Sequence, residues 1–121
     1  MLIDEAGLAI RTVEADYTTR SPAPGWSEQD PKLWIDALDA VVEELRTTEP
    51  RFANLVGIGV AGHMHGATLL DDMGNVLRPC ILWNDTRAAT EAAALDQNPV
   101  FRQVSGNIVF PGFTAPKLAW V

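Results

Sequence analysis

The run Leu55-Val56-Gly57-Ile58-Gly59-Val60-Ala61 is apolar from end to end and stops at a polar, glycine-flanked step, Gly62-His63-Met64-His65-Gly66. It has the length of a strand, and its branched residues Val56, Ile58 and Val60 fall at every second position, so it reads as a strand covered on both faces. Gly57, Gly59 and Ala61 alternate with them, which lets a helix or a neighbouring backbone approach that side closely. A helical pattern precedes the run. Helix followed by buried strand belongs to α/β layer architecture, in which ligands gather at the carboxyl ends of parallel strands. Residues 62–66 occupy that position.

Turn chemistry divides the remainder. Asp4-Glu5-Ala6-Gly7 lies between Met1-Leu2-Ile3 and a strand pattern from Leu8 to Tyr17, and Asp71-Asp72-Met73-Gly74-Asn75 lies between Thr68–Leu70 and Val76–Trp83. Both read as hairpins, and with the buried strand they predict a mixed sheet with flanking helices. Ser21-Pro22-Ala23-Pro24-Gly25 is a loop. Asp30 as N-cap and Pro31 at the first helical position then open a helix whose apolar face is Trp34, Leu38, Val41, Val42 and Leu45, ended before Pro50. Asp85 is expected to cap an alanine-rich helix reaching about Gln97, a shorter helix covers Val100 to Val104, and Thr114 caps a last one with Pro116 in its first turn. The first hairpin arm and the last helix are both short for such elements, so the chain is expected to begin and end inside larger units.

Charge and cysteine usage narrow the function. At net charge −7 with nine scattered basic residues, nucleic-acid binding is disfavoured. The lone Cys80 excludes an intrachain disulfide, fits a reducing cytoplasm, and sits in the fabric of an expected strand rather than as a nucleophile. No apolar stretch approaches a membrane span, and Asp4 and Glu5 stand where a signal peptide carries positive charge, so the expectation is a cytoplasmic protein.

His63 and His65 are the only histidines. In an extended segment their side chains share a side, which suits two ligands of a zinc-like ion and a metal-dependent hydrolase, yet no further residue shows ligand spacing. Alternatively an imidazole, donating at one nitrogen and accepting at the other, bonds a sugar hydroxyl while Met64 packs on the carbon skeleton. A structural role, with Met64 in a core, stays open beside both. Trp83-Asn84-Asp85-Thr86-Arg87 offers an aromatic plate, an amide, a carboxylate and a guanidinium in one short stretch, though Asp85 as a cap and Trp83 as core are the commoner roles for such residues. Trp26 is open in the same way, between ligand wall and packing residue. Gly57-Ile58-Gly59 lies within the strand pattern and is no phosphate loop.

Gly57 through Asp71, with its Gly62-His63-Met64-His65-Gly66 step, and Leu77 through Arg87, with Trp83-Asn84-Asp85, closely resemble the N-terminal domain of the FGGY carbohydrate kinases, and among them the bacterial xylulokinases. Gly25-Trp26-Ser27-Glu28-Gln29-Asp30-Pro31 and the stretch from Ser105 to Leu118 are similar to further family segments, in the same order. The resemblance implies an actin-like, ribonuclease-H-like fold. It also implies ATP- and Mg2+-dependent phosphorylation of D-xylulose to its 5-phosphate, with Met64 and His65 contacting the ketose and Trp83, Asn84, Asp85 and Arg87 beside the sugar cleft. Residues 1–121 then correspond to part of that N-terminal domain. The Asp-x-Gly-Thr phosphate loop is expected before Met1, and the catalytic aspartate and the nucleotide domain after Val121. The chain alone is expected to hold no catalytic residue, no bound cofactor and no metal, and to be inactive. His63 stands where glutamine is usual, which leaves the fine orientation of the sugar open. A noncatalytic sugar- or protein-binding module is the alternative. Unpaired sheet edges also raise the prospect of a homo-oligomer.

Overall fold

A computed structural model describes residues 1–121 as helices and small sheets, an α/β chain that forms two compact units. The first unit comprises residues 1–17 and 32–61; the second comprises residues 18–31 and 62–121.

In the first unit β1 (Leu2–Ile3) pairs antiparallel with β2 (Ala9–Arg11). The turn is built as its composition predicts: the Asp4 carboxylate accepts from the N–H groups of Ala6 and Leu8 at 3.0 and 2.8 Å, and Gly7 takes φ 79°. β2 ends at Arg11 rather than continuing to Tyr17, because β1 offers no further residues to pair with. Helix α1 (Pro31–Thr48) starts at the expected proline. Its apolar stripe is only partly covered: Leu45 is buried, whereas Leu38 and Val42 are exposed. A 3-10 turn over Pro50–Asn54 follows, with the Glu49 carboxylate accepting from the Arg51 N–H.

The run Leu55–Ala61 departs from the prediction. It forms no strand, residues 56–61 make no backbone-to-backbone hydrogen bond, and Val56, Ile58 and Val60 are 103%, 82% and 89% exposed. Alternation of branched and small residues fits a pleated, covered surface, but a ladder requires a neighbour, and neither β1 nor β2 pairs with this run.

In the second unit β3 (Glu28–Gln29) pairs antiparallel with β4 (Cys80–Ile81), extended by bridges from Arg20 to Glu28 and from Ala67 to Ile81. β3 is absent from the sequence pattern, since its two polar residues carry no strand signature. The hairpin around Asp71 forms: Leu70 bridges Val76, Asp71 Oδ1 accepts from the N–H groups of Met73 and Asn75, and Gly74 takes φ 84°. Helix α2 (Ala89–Gln97) packs against α3 (Pro99–Ser105) and α4 (Thr114–Trp120). Asn98 caps α3 through the N–H groups of Val100 and Phe101, and Gly106 closes it in the left-handed region. Two expected caps are displaced. α2 follows Ala88 without a side-chain cap, because Asp85 is engaged elsewhere, and α4 begins at Thr114 itself, after Phe113. Ala67, Cys80, Ile81, Leu82, Ala88, Ala92, Val109 and Pro116 are among the buried apolar residues of this unit, and the expected packed role of Cys80 holds. No helix is long and apolar enough to cross a membrane.

Candidate functional site

The bridge between Ala67 and Ile81 fixes one end of the turn at residues 62–66 to β4. Within that turn His65 has φ 57°, the left-handed region that a residue other than glycine enters at a cost and only when its surroundings hold it there. Two contacts do so. Its ring stacks on Phe113 with centroids 4.7 Å apart, and its carbonyl accepts from the Lys117 ammonium at 2.7 Å. The same ammonium donates to the Gly112 carbonyl at 2.6 Å. Lys117 is fully buried, and that burial holds its pKa below the ordinary lysine value, with the nearby Asp85 and Cys80 opposing the shift. Beside this anchored turn the Met64 side chain is 69% exposed. An apolar, adaptable thioether and an imidazole thus emerge from consecutive residues.

His63 has a different occupation. Its Nε2 accepts from the Trp83 N–H at 3.3 Å, which assigns the acceptor nitrogen. Burial, and then the Lys117 charge, lower its pKa and favour the neutral ring. Gly66 is required by crowding on this side: a Cβ there would stand 2.9 Å from His63 Cδ2 and 3.0 Å from Cys80 Sγ. No group of three or more His, Cys, Asp or Glu side chains comes together, so the hydrolase alternative built on His63 and His65 lacks its third ligand.

The second predicted constellation is split. Trp83 is 57% exposed and Asn84 is also exposed, next to the turn. Trp83 is joined to the turn through His63, and a Cβ on Gly112 would collide with the Trp83 carbonyl, so the loop leading to Phe113 lies directly against it. Asp85 and Arg87 face inward. Arg87 holds Asp85 through Nε and Nη2 at 2.9 and 2.7 Å, reaches Glu28 at 2.6 Å, and covers the Trp26 ring. Trp120 meets Trp26 edge-on, and Arg78 pairs with Glu28 and lies over Trp120. Burial alone would raise the Asp85 carboxyl, but hydrogen bonds from Arg87 and the Ser27 N–H outweigh it and hold its pKa below the usual range. No local pattern marks Lys117, Phe113 or Glu28 as members of these clusters, since lysine is rarely buried and the partners are remote in the chain.

The residues present do not fit a magnesium–nucleotide site. Asp85 and Glu28 are neutralised by Arg87, Asp71 is committed to its own turn, and no three acidic groups come together.

The sequence profile of the FGGY family of carbohydrate kinases, N-terminal domain, matches residues 1–121. The xylulose kinase of Klebsiella pneumoniae is 46% identical, and that of Escherichia coli K12 is 44% identical, each over 100% of this chain and 25% of its own length. The crystal structure of a "xyloylose kinase" from Brucella ovis superposes with a TM-score of 0.93 at 57% identity, over 98% of this chain and 25% of that one. The chain therefore spans about a quarter of the length of the relatives it matches.

Proposed function

We propose, from the premise that this chain belongs to the FGGY family of carbohydrate kinases, that the polypeptide carrying it phosphorylates D-xylulose and that the turn at residues 62–66 holds the ketose. The observation that carries the assignment is the pairing of an exposed Met64 with a His65 fixed in a left-handed backbone and stacked on Phe113. An open-chain ketose presents carbon skeleton and hydroxyls together, and this turn offers an apolar and a hydrogen-bonding group at matching positions. The kinship with enzymes named xylulose kinase supports the choice of sugar.

Phosphoryl transfer needs an oriented hydroxyl, a group to take its proton, and a metal-bound nucleotide in line. In this proposal residues of this chain serve the first need only, with Trp83 and Asn84 as further sugar-side groups. ATP and Mg2+ are the donor and the metal. Neither Asp85 nor Asp71 serves as base, given their committed partners. The same proposal places the enzyme in cytoplasmic sugar metabolism, without nucleic-acid or membrane partners.

The test is sugar-dependent ADP formation by the native polypeptide that carries this sequence. Turnover with D-xylulose well above that with glycerol is expected. Turnover with glycerol equal or superior to that with D-xylulose would overturn the substrate assignment.

A further inference from the structure

We infer that Lys117 is a positioning residue for sugar binding: its buried ammonium, bonded to the carbonyls of His65 and Gly112, holds the His65 backbone in its left-handed turn and the Phe113 loop beside it. The inference rests on the proposal that Met64 and His65 contact the ketose.

A left-handed non-glycine residue persists only where its surroundings over-determine it. At His65 the surroundings are a ring stack on one side and a charged donor on the carbonyl. Both are tied to one segment, since Phe113 immediately precedes α4, Lys117 lies within α4, and Gly112 accepts the same ammonium. One buried side chain therefore joins the turn bearing Met64 and His65 to the loop bearing the ring on which His65 rests. A lysine with no exposed surface that makes no ion pair, and spends its donors on two backbone carbonyls, is an expensive way to stabilise a helix. It fixes carbonyl directions with the strength of charge-assisted bonds. Without it the His65 peptide is free to rotate, and displacement of a binding group by about 1 Å can cost on the order of 100-fold in rate.

The experiment compares wild type, Lys117→Met, His65→Ala and the double variant of the native polypeptide. KM for D-xylulose, KM for ATP and kcat are measured, together with the 13C shift of the His65 Cα in histidine-labelled protein. Lys117→Met is expected to raise the D-xylulose KM by about tenfold or more while the ATP KM stays within about twofold, and to move the His65 signal. In the His65→Ala background the same change should add little, because the two residues act as one unit. An unchanged D-xylulose KM and an unmoved His65 signal in a folded Lys117→Met protein would overturn the inference. If Lys117→Met does not accumulate, Lys117→Gln, which keeps N–H donors on a shorter stem, is read by the same criteria. Should His65→Ala leave the D-xylulose KM intact, the sugar-site assignment fails. The His65 shift in Lys117→Met then judges the positioning role by itself, a moved signal sustaining it and an unmoved one overturning it.

Discussion

The Arg87 guanidinium carbon lies 3.7 Å from the centre of the Trp26 ring, with its nitrogens turned to Asp85 and Glu28. The guanidinium is 1% exposed and the Asp85 carboxylate 0%, so each charge depends on the other. The Lys117 ammonium, bonded to the His65 carbonyl, feels the charges of this same pair.

Removing Arg87 leaves the buried Asp85 carboxylate without its cation and Glu28 with Arg78 alone. Arg87→Met is expected to lower stability by about 3–5 kcal/mol in denaturant unfolding. Arg87→Lys keeps the charge but loses the planar fork and the stack, and should recover only part of the loss. Equal stability of Arg87→Met and wild type would remove the network from the account of this fold.

Acid should act through Asp85. Its folded pKa lies below the unfolded carboxylate value of about 3.9, so its contribution is complete above that value and disappears as pH falls through the folded one. Stability measured across the acid range should therefore drop more steeply in wild type than in Asp85→Asn. Parallel profiles would show that another carboxylate governs the acid transition.

Gly66→Ala should destabilise the second unit by about 1–3 kcal/mol, the usual cost of overpacking. The new methyl meets the His63 ring and the Cys80 sulfur, both held in place by other contacts. The His63 ring resonances should shift with it. A neutral substitution would mean that the His63 ring moves aside without cost.

Met64→Ala separates binding from packing. At its exposure the change should leave stability within about 0.5 kcal/mol, while the D-xylulose KM rises. A large loss of stability would return Met64 to a core role.

Local chemistry made part of this molecule readable. Asp4 with Gly7 and Asp71 with Gly74 each act within a few residues, and each turn forms where the sequence puts it. The turn at 62–66 was also visible, as a polar step after an apolar run. What it touches was not. His65 and Lys117 are 52 positions apart, and Glu28 and Arg87 are 59 apart, so no periodicity links them. Asp85 looked like a cap because caps are what isolated aspartates before alanine runs commonly do, yet a guanidinium two residues on is a stronger partner. The largest miss is the run 55–61, whose pattern specifies what it would pack against but cannot supply it.

That uncovered run has a consequence at the bench. Its backbone from Val56 to Ala61 has no internal partner, and its branched side chains face water. Identical ribbons at high concentration can pair edge to edge at about 4.8 Å, as exposed strands do. Purification of the isolated 121-residue chain should therefore meet a solubility ceiling set by this ribbon. A single Ile58→Lys change should raise the ceiling, which makes it the first alteration to try before crystallisation.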